Sequence, residues 1–209
     1  EDVVKHKANL VLAYDGDADR LIAVDENGNI VDGDHIMVLS AIHLKNKGKL
    51  AQDTLVVTVM SNIGLTIAAK EHGINLATTA VGDRYVLEEM KNSGYNLGGE
   101  QSGHMIFLDY NTTGDGVLSS LVLAQIVLEE GKNLSELAAV MTQYPQVLVN
   151  ARIKNENKNR YMEYPEIKSE IERIEKLLDG CGRVLIRPSG TEPLVRVMIE
   201  GEDQEYITK

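Results

Sequence analysis

Leu10-Val11-Leu12-Ala13-Tyr14-Asp15-Gly16-Asp17-Ala18-Asp19-Arg20 sets an apolar run against three alternating carboxylates and a closing arginine. A short apolar run spanning residues 8–14 reads as a buried strand. The aspartates then fall in a loop at the carboxyl end of that strand, where open α/β sheets place their ligands. Alternate residues of an extended loop project the same way, so Asp15, Asp17 and Asp19 are expected to converge. Three converging carboxylates repel one another unless a hard cation sits among them, and oxygen-only ligation suits magnesium, manganese or calcium. Two other readings of the same residues are a solvated acidic turn and an EF-hand. With Asp15 in first position, an EF-hand would put Ile22 eighth and Glu26 twelfth. Against it, Arg20 stands sixth, where that turn requires glycine, and the flanks read as strands.

Outward from this loop, residues 2–7 look like the tail of a helix and residues 21–25 like a second strand. Asn27-Gly28 offers the two positive-φ residues of a tight hairpin. Asp32 or Asp34 is expected to cap a helix ended by Gly48, and Ser61 a second one ended by Gly73. Strands are expected at residues 54–60, 74–81, 95–99 and 104–109, with helices at 83–93 (Asp83 as its cap), 117–129 and 134–142. Tyr144-Pro145 marks a boundary, because proline restricts its predecessor and cannot continue a helix. Beyond it come a strand at 146–153, a polar loop at 154–160, a helix at 165–178, and strands at 183–187 and 194–200. The expected fold class is therefore α/β with a mixed sheet up to the boundary, followed by a small α+β domain.

Composition narrows the function classes. At 209 residues and 43% hydrophobic content the chain can bury a substantial core. No run approaches the roughly 18 apolar residues that span a bilayer, and no basic-then-apolar leader opens it, so a cytoplasmic location without membrane partners is expected. The single cysteine, Cys181, excludes an internal disulfide framework; flanked by glycines, it is given no role. A net charge of −11 argues against a nucleic-acid partner. Any anionic substrate must then be held by local basic groups. The chain opens on Glu1 without an initiator methionine and closes at Lys209 in what looks like a starting helix, so it is expected to be a piece of a larger protein.

Two further loops carry chemistry. Arg187-Pro188-Ser189-Gly190-Thr191-Glu192-Pro193 lies between two expected strands, with Arg196 following. Gly190 lets backbone N–H groups approach an anion. Ser189 and Thr191 add hydroxyls, and Arg187 and Arg196 can grip phosphate in a bidentate fork. A plain Pro/Gly turn with solvated arginines is the alternative. Gly98-Gly99-Glu100-Gln101-Ser102-Gly103-His104 places Glu100, Ser102 and His104 at alternate positions, as if on one face toward vicinal sugar hydroxyls. An exposed hairpin link would look much the same. Arg84, at the start of a predicted helix, faces either a ligand or solvent.

In this order and spacing, the metal loop at 15–20, the sugar loop at 99–104 and the phosphate loop at 187–193 resemble the α-D-phosphohexomutase family. The wording of residues 98–104 and of Leu108-Asp-Tyr-Asn-Thr-Thr-Gly-Asp-Gly116 is most similar to the branch acting on glucosamine phosphates. The resemblance implies a four-domain isomerase that interconverts glucosamine 6-phosphate and glucosamine 1-phosphate through a phosphoserine and a bisphosphate, on the route to UDP-N-acetylglucosamine. It implies that Asp15, Asp17 and Asp19 hold one Mg²⁺ and that Arg20 lies beside the phosphoserine. It also implies that His104 is a candidate for proton transfer. Glu100 and Ser102, with Arg84, would bind substrate, and Arg187, Ser189, Gly190, Thr191 and Arg196 its non-reacting phosphate. Residues 1–31 would end domain 2, 32–143 form domain 3 and 144–209 most of domain 4, with the preceding domains as missing partners. The family's catalytic Ser-His-Asn-Pro loop is absent from these residues, so the piece alone is expected to be inactive. A phosphomannomutase/phosphoglucomutase piece and a non-catalytic Ca²⁺- or phosphosugar-binding module remain the alternatives.

Overall fold

The computed structural model describes residues 2–178, 182–189 and 192–208; Cys181 lies outside them. The chain divides into two units, Glu1–Thr142 and Gln143–Lys209.

In the first unit a short helix α1 (Asp2–His6) precedes an antiparallel ribbon of β1 (Leu10–Tyr14), β2 (Leu21–Asp25) and β3 (Ile30–Val31). The buried strand expected ahead of the aspartates is instead half-exposed: β1 lies at the edge, with only β2 beside it among the described residues. The burial goes to β2, where Leu21 and Ala23 have no exposed surface. The β2–β3 turn also departs from expectation, for only Gly28 takes a positive φ, of 94°. Asp25 organises the turn, its buried carboxylate accepting the N–H groups of Asn27 (2.9 Å) and Asn29 (2.8 Å) and the Asn29 amide (2.9 Å). Burial works against that charge, but these donors win and hold the Asp25 pKa below its ordinary value.

Next comes α2 (Gly33–Asn46), enclosed along nearly its whole length. It is capped by Asp32, whose Oδ1 accepts the His35 N–H at 3.2 Å and meets His35 Nδ1 at 2.8 Å. Then follow β4 (Thr54–Thr58), α3 (Ile63–Glu71), β5 (Asn75–Thr79), α4 (Asp83–Ser93), β6 (Leu97–Gly99), β7 (Met105–Phe107), α5 (Gly116–Glu130) and α6 (Leu134–Ala138). The sheet order is β5-β4-β6-β7, parallel except for β7, so it is mixed as expected. β4 is buried on both faces: Leu55 and Val57 join the core built on α2, α3 and α5, while Val56 joins Val86 and Met90 of α4 and Ile106. Such two-sided burial is what makes a parallel strand read as a continuous apolar run.

Two expected caps move. Asn62, not Ser61, caps α3, accepting the Gly64 N–H at 3.0 Å. Gly82, not Asp83, caps α4, with φ 132°. Asp34, the alternative cap for α2, is instead fully buried in the first turn, where its Oδ2 accepts the Asn62 N–H at 2.7 Å. It thereby ties the starts of α2 and α3 together. Burial pushes its pKa up to about 7, with the Asp32 charge adding to the rise.

The second unit is an antiparallel sheet of order β8-β10-β9 built from β8 (Gln146–Arg152), β9 (Gly182–Pro188) and β10 (Leu194–Gly201). α7 (Pro165–Leu177) lies on one face, its Ile167, Ile171 and Ile174 facing Val184, Ile186, Val197 and Ile199, and α8 (Gln204–Thr208) follows. On the other face Glu200, fully buried, accepts hydrogen bonds from Arg183 Nε and Gln146 Nε2. Among the described residues, no helix is long and apolar enough to cross a membrane.

Candidate functional site

The residues after β1 do not continue extended. Ala18 takes a left-handed φ of 58° and its N–H bonds to the Asp15 carbonyl (3.2 Å), so the loop closes as a turn. Convergence comes from this turn: one carboxylate oxygen each of Asp15, Asp17 and Asp19 lies within 4.8 Å of the others. The turn is braced from outside, since Gly116 donates its N–H to the Ala18 carbonyl at 2.9 Å. A Cβ on Gly116 would meet the Arg20 carbonyl at 2.5 Å, so only glycine allows that approach.

The charges inside the turn are divided unequally. Burial, the Asp15 carboxyl and the charges of Asp15 and Asp17 together raise the Asp19 pKa, His104 opposing them. Burial also lifts Asp15, but the Arg20 N–H on its Oδ1 at 3.2 Å helps to outweigh it, and its pKa falls below the ordinary value. Arg20 Nε lies 3.7 Å from Asp15 and 3.8 Å from Asp19. Asp19 Oδ1 is buried without a hydrogen bond. Three hard oxygen donors drawn together, one with an unused oxygen, fit a divalent cation with oxygen preference. They do not form an EF-hand. β1 and β2 flank the loop, and Glu26, twelfth in that count, is bound to the Ser135 hydroxyl and N–H.

The loop at 99–104 is joined to the acidic turn through its backbone. Arg20 and His104 form an antiparallel bridge, and the Leu21 N–H bonds to the Gly103 carbonyl at 3.0 Å. On its other side, the Gly33 N–H at the start of α2 bonds to the Gln101 carbonyl (3.1 Å), and Gln101 Nε2 reaches Asp32 at 3.3 Å. Within the loop, Glu100 N–H bonds to the His104 carbonyl (2.9 Å) and Gly103 N–H to the Glu100 carbonyl (3.0 Å). This tight reversal replaces the extended backbone that the expected alternation needs, and the three polar side chains meet different surroundings. Glu100 is half-buried and accepts the Gly82 N–H at 3.0 Å. Ser102 is exposed. His104 is buried, its Nε2 3.7 Å from Asp19 Oδ2, its Nδ1 without a hydrogen bond, and its ring packed against Gly114. Arg84 is exposed on α4 and pairs with Glu88 at 2.8 Å.

In the second unit, Arg187 and Arg196 are directly opposite on β9 and β10. Like charges facing across a ladder are destabilising, so their placement suits an anion shared between them. Arg196 Nη2 meets Glu192 at 3.1 Å, while its Nε is buried without a hydrogen bond. Ser189 is buried and its Oγ accepts the Glu192 N–H at 3.1 Å. Gly190 and Thr191 lie outside the described residues. Sequence reasoning missed Lys158, whose ammonium donates to the Ser189 carbonyl at 2.8 Å. It also missed Gln101 and the backing glycines, Gly114 and Gly116. The Gly-Asp-Gly spelling at 114–116 was the one signal for the glycines.

Residues 32–144 match the family model described as phosphoglucomutase/phosphomannomutase, alpha/beta/alpha domain III, and residues 148–209 match its C-terminal domain. The phosphoglucosamine mutase of Clostridioides difficile (strain 630) is 80% identical over 98% of this chain and 46% of its own length. The chain thus spans about half the length of the curated relatives it matches. Among solved structures, a phosphoglucomutase/phosphomannomutase family protein from Burkholderia thailandensis superposes with a TM-score of 0.79 at 20% identity, covering 99% of this chain and 45% of that one. The Aspergillus fumigatus N-acetylphosphoglucosamine mutase, in complex with GlcNAc-6P and magnesium, gives 0.75 at 21% identity, over 93% and 49%. At these identities the two structures speak for the fold. With both of its units matched by models of that family, the chain belongs to the phosphoglucomutase/phosphomannomutase family.

Proposed function

We propose that this chain carries the metal-binding, sugar-binding and phosphate-binding parts of a phosphoglucosamine mutase, which interconverts glucosamine 6-phosphate and glucosamine 1-phosphate. The observation that carries the reading is the acidic turn of Asp15, Asp17 and Asp19, joined by backbone hydrogen bonds to the loop bearing Glu100 and Ser102. The name of the C. difficile relative supports the choice of sugar. The reading assigns residues 1–31 to the end of one domain, 32–143 to the next and 144–209 to a third. It carries with it a phosphoserine and a bisphosphate intermediate, a role in making UDP-N-acetylglucosamine for peptidoglycan, and a cytoplasmic setting without membrane or nucleic-acid partners.

Asp15, Asp17 and Asp19 would hold the ion, taken to be Mg²⁺. When bound, it would offset the charge on the equatorial oxygens of a transferring phosphoryl group. Arg20, fixed beside the carboxylates through its own backbone, supplies a further positive charge for that phosphoryl group. Ser102 offers its exposed hydroxyl to the sugar, and Glu100 its second carboxylate oxygen. His104 is enclosed and aimed at Asp19, so we read it as orienting that ligand. Proton transfer by His104 would have to pass through the same carboxylate. Arg187, Ser189 and Arg196, with Gly190 and Thr191, hold the non-reacting phosphate. Arg84, paired with Glu88, would need to swing free to touch a ligand.

No Ser-His-Asn-Pro loop occurs in these 209 residues, so we expect them alone not to catalyse the conversion. A coupled assay with Mg²⁺ and glucosamine 1-phosphate checks this, and metal-dependent turnover by the purified chain would overturn it. Sugar preference is tested by NMR titration with glucosamine 6-phosphate and mannose 6-phosphate. The reading requires the amides of residues 15–20 and 99–104 to respond more strongly to the first. Equal responses, or none, would sink the assignment to glucosamine.

A further inference from the structure

The strand register of the second unit places more positive charge near the phosphate loop than the loop itself contains. Arg196 pairs not only with Arg187 of β9 but also with Asn150 of β8. Partners in register share a face of the sheet. The residues lining α7 (Val184, Ile186, Val197, Ile199) alternate with Arg187 and Arg196, so the arginines and Asn150 lie on the face opposite α7. Two residues along β8, Arg152 sits opposite Leu194 and therefore on that same face. It is a diagonal neighbour of Arg196, a separation of about 7–8 Å that long side chains bridge. Arg152 and Asn150 are both exposed, and neither makes a side-chain hydrogen bond or ion pair among the described residues.

Folding gives no reason for this arrangement. Asparagine is disfavoured in strands, and a third guanidinium beside two facing ones adds repulsion. In a chain of net charge −11, three arginines on one patch, with no acidic partner for Arg152 or Arg187 among the described residues, are a departure from the surrounding surface. Glu192, in the adjoining loop, is engaged by one nitrogen of Arg196. Arg183, further along the same face, is committed to Glu200.

We propose that β8 is part of the anion site: Arg152 is a third guanidinium contact for the phosphate ester, and Asn150, between the strands, hydrogen-bonds the phosphate or the adjoining sugar hydroxyl. The inference rests on the phosphosugar reading above and extends it to two residues outside the loop. A site of this width suits a phosphate carried on a polar ring better than a free phosphate alone. Asn150 supplies both a donor and an acceptor, as a hydroxyl-bearing ligand requires.

The test uses the 209-residue chain, NMR titration, and glucosamine 6-phosphate and inorganic phosphate as probes. Titration should shift the Nε–H signals of Arg152, Arg187 and Arg196 and the side-chain amide of Asn150. Arg152→Gln should weaken binding of both probes about tenfold. Asn150→Ala should weaken the sugar phosphate more than inorganic phosphate. Arg160→Gln, which removes an exposed arginine paired with Glu163, should leave both affinities unchanged and so measures the effect of net charge alone. If Arg187→Gln abolishes binding while Arg152→Gln and Asn150→Ala bind like the parent, β8 plays no part and the phosphate-loop reading stands. A loss in Arg160→Gln equal to that in Arg152→Gln also overturns the proposal. If the parent chain binds neither probe, both readings fall.

Discussion

Gly33→Ala is expected to destabilise the first unit, although the general rule for glycine in helices points the other way. Replacing a helical glycine with alanine usually stabilises by about 0.5–1 kcal/mol. Gly33, however, is the first residue of α2 and abuts the loop at 100–103. A Cβ there would lie 2.3 Å from the Glu100 carbonyl oxygen and 2.7 Å from both the Gln101 carbonyl oxygen and the Gly103 nitrogen. All three are backbone atoms, so no side-chain rotation relieves the clash. The loop would have to recede by roughly 1 Å to regain ordinary contact. That movement strains the hydrogen bond from Gly33 N–H to the Gln101 carbonyl. Overpacking costs about 1–3 kcal/mol and a lost hydrogen bond about 1 kcal/mol more. After the helical gain is subtracted, a net loss of about 1–3.5 kcal/mol is expected. Gly16→Ala is the control: nothing lies within 4 Å of its Cβ and its φ is not positive. Urea unfolding followed by circular dichroism measures both variants, and amide spectra show whether residues 100–104 shift. A Gly33→Ala chain as stable as the parent, with those amides unmoved, would refute the packing argument.

Asp34 gives a pH prediction with a definite sign. Its pKa is raised in the folded chain to about 7 from an ordinary 3.8, so its contribution is greatest below pH 4 and is lost as pH rises through 7. Asp34→Asn, which keeps an acceptor for the Asn62 N–H, should flatten the decline in stability between pH 4 and 8; an unchanged slope in urea midpoints would contradict it. For the acidic turn, Mn²⁺ should selectively broaden amide signals of residues 15–20 at millimolar concentrations, because three carboxylates leave such an ion largely hydrated. Asp19→Asn should cut that response at least about tenfold. Equal broadening in the variant, or broadening spread evenly over the acidic surface, would remove the site.

Much of the fold was legible because its signals are local. Apolar runs, glycines after helices and Tyr144-Pro145 place most elements within a few residues. What escaped reading depends on partners distant in sequence. β1 was read as buried from its apolarity, yet burial is decided by whether a strand has neighbours on both sides, and here it has one. Ser61 and Asn62 are equally good caps on paper. The Asp34 carboxylate, 28 positions earlier, accepts the Asn62 N–H, while the Asn62 side chain takes up the Gly64 N–H. The aspartates were found for partly the wrong reason, since a turn at Ala18 gathers them rather than an extended loop. In the loop at 99–104 the residue types were visible, but the reversal between Glu100 and His104 gives their side chains different burial and partners. Asn150 and Arg152 went unnoticed because only the pairing of β8 with β10 brings them beside Arg196.

The backbone links running from Ala18 through Arg20 and Leu21 to Gly103, Gln101 and Gly33 have a consequence for discrimination. Two recognition loops hung on side chains would breathe independently, and their spacing would blur. Here amide-to-carbonyl bonds set the spacing between the backbone of the carboxylate turn and that of residues 100–104, so the two loops keep one separation. If the proposed sugar-phosphate role holds, epimers that differ in how far a hydroxyl stands from the charged end would be sorted by length as much as by chemistry.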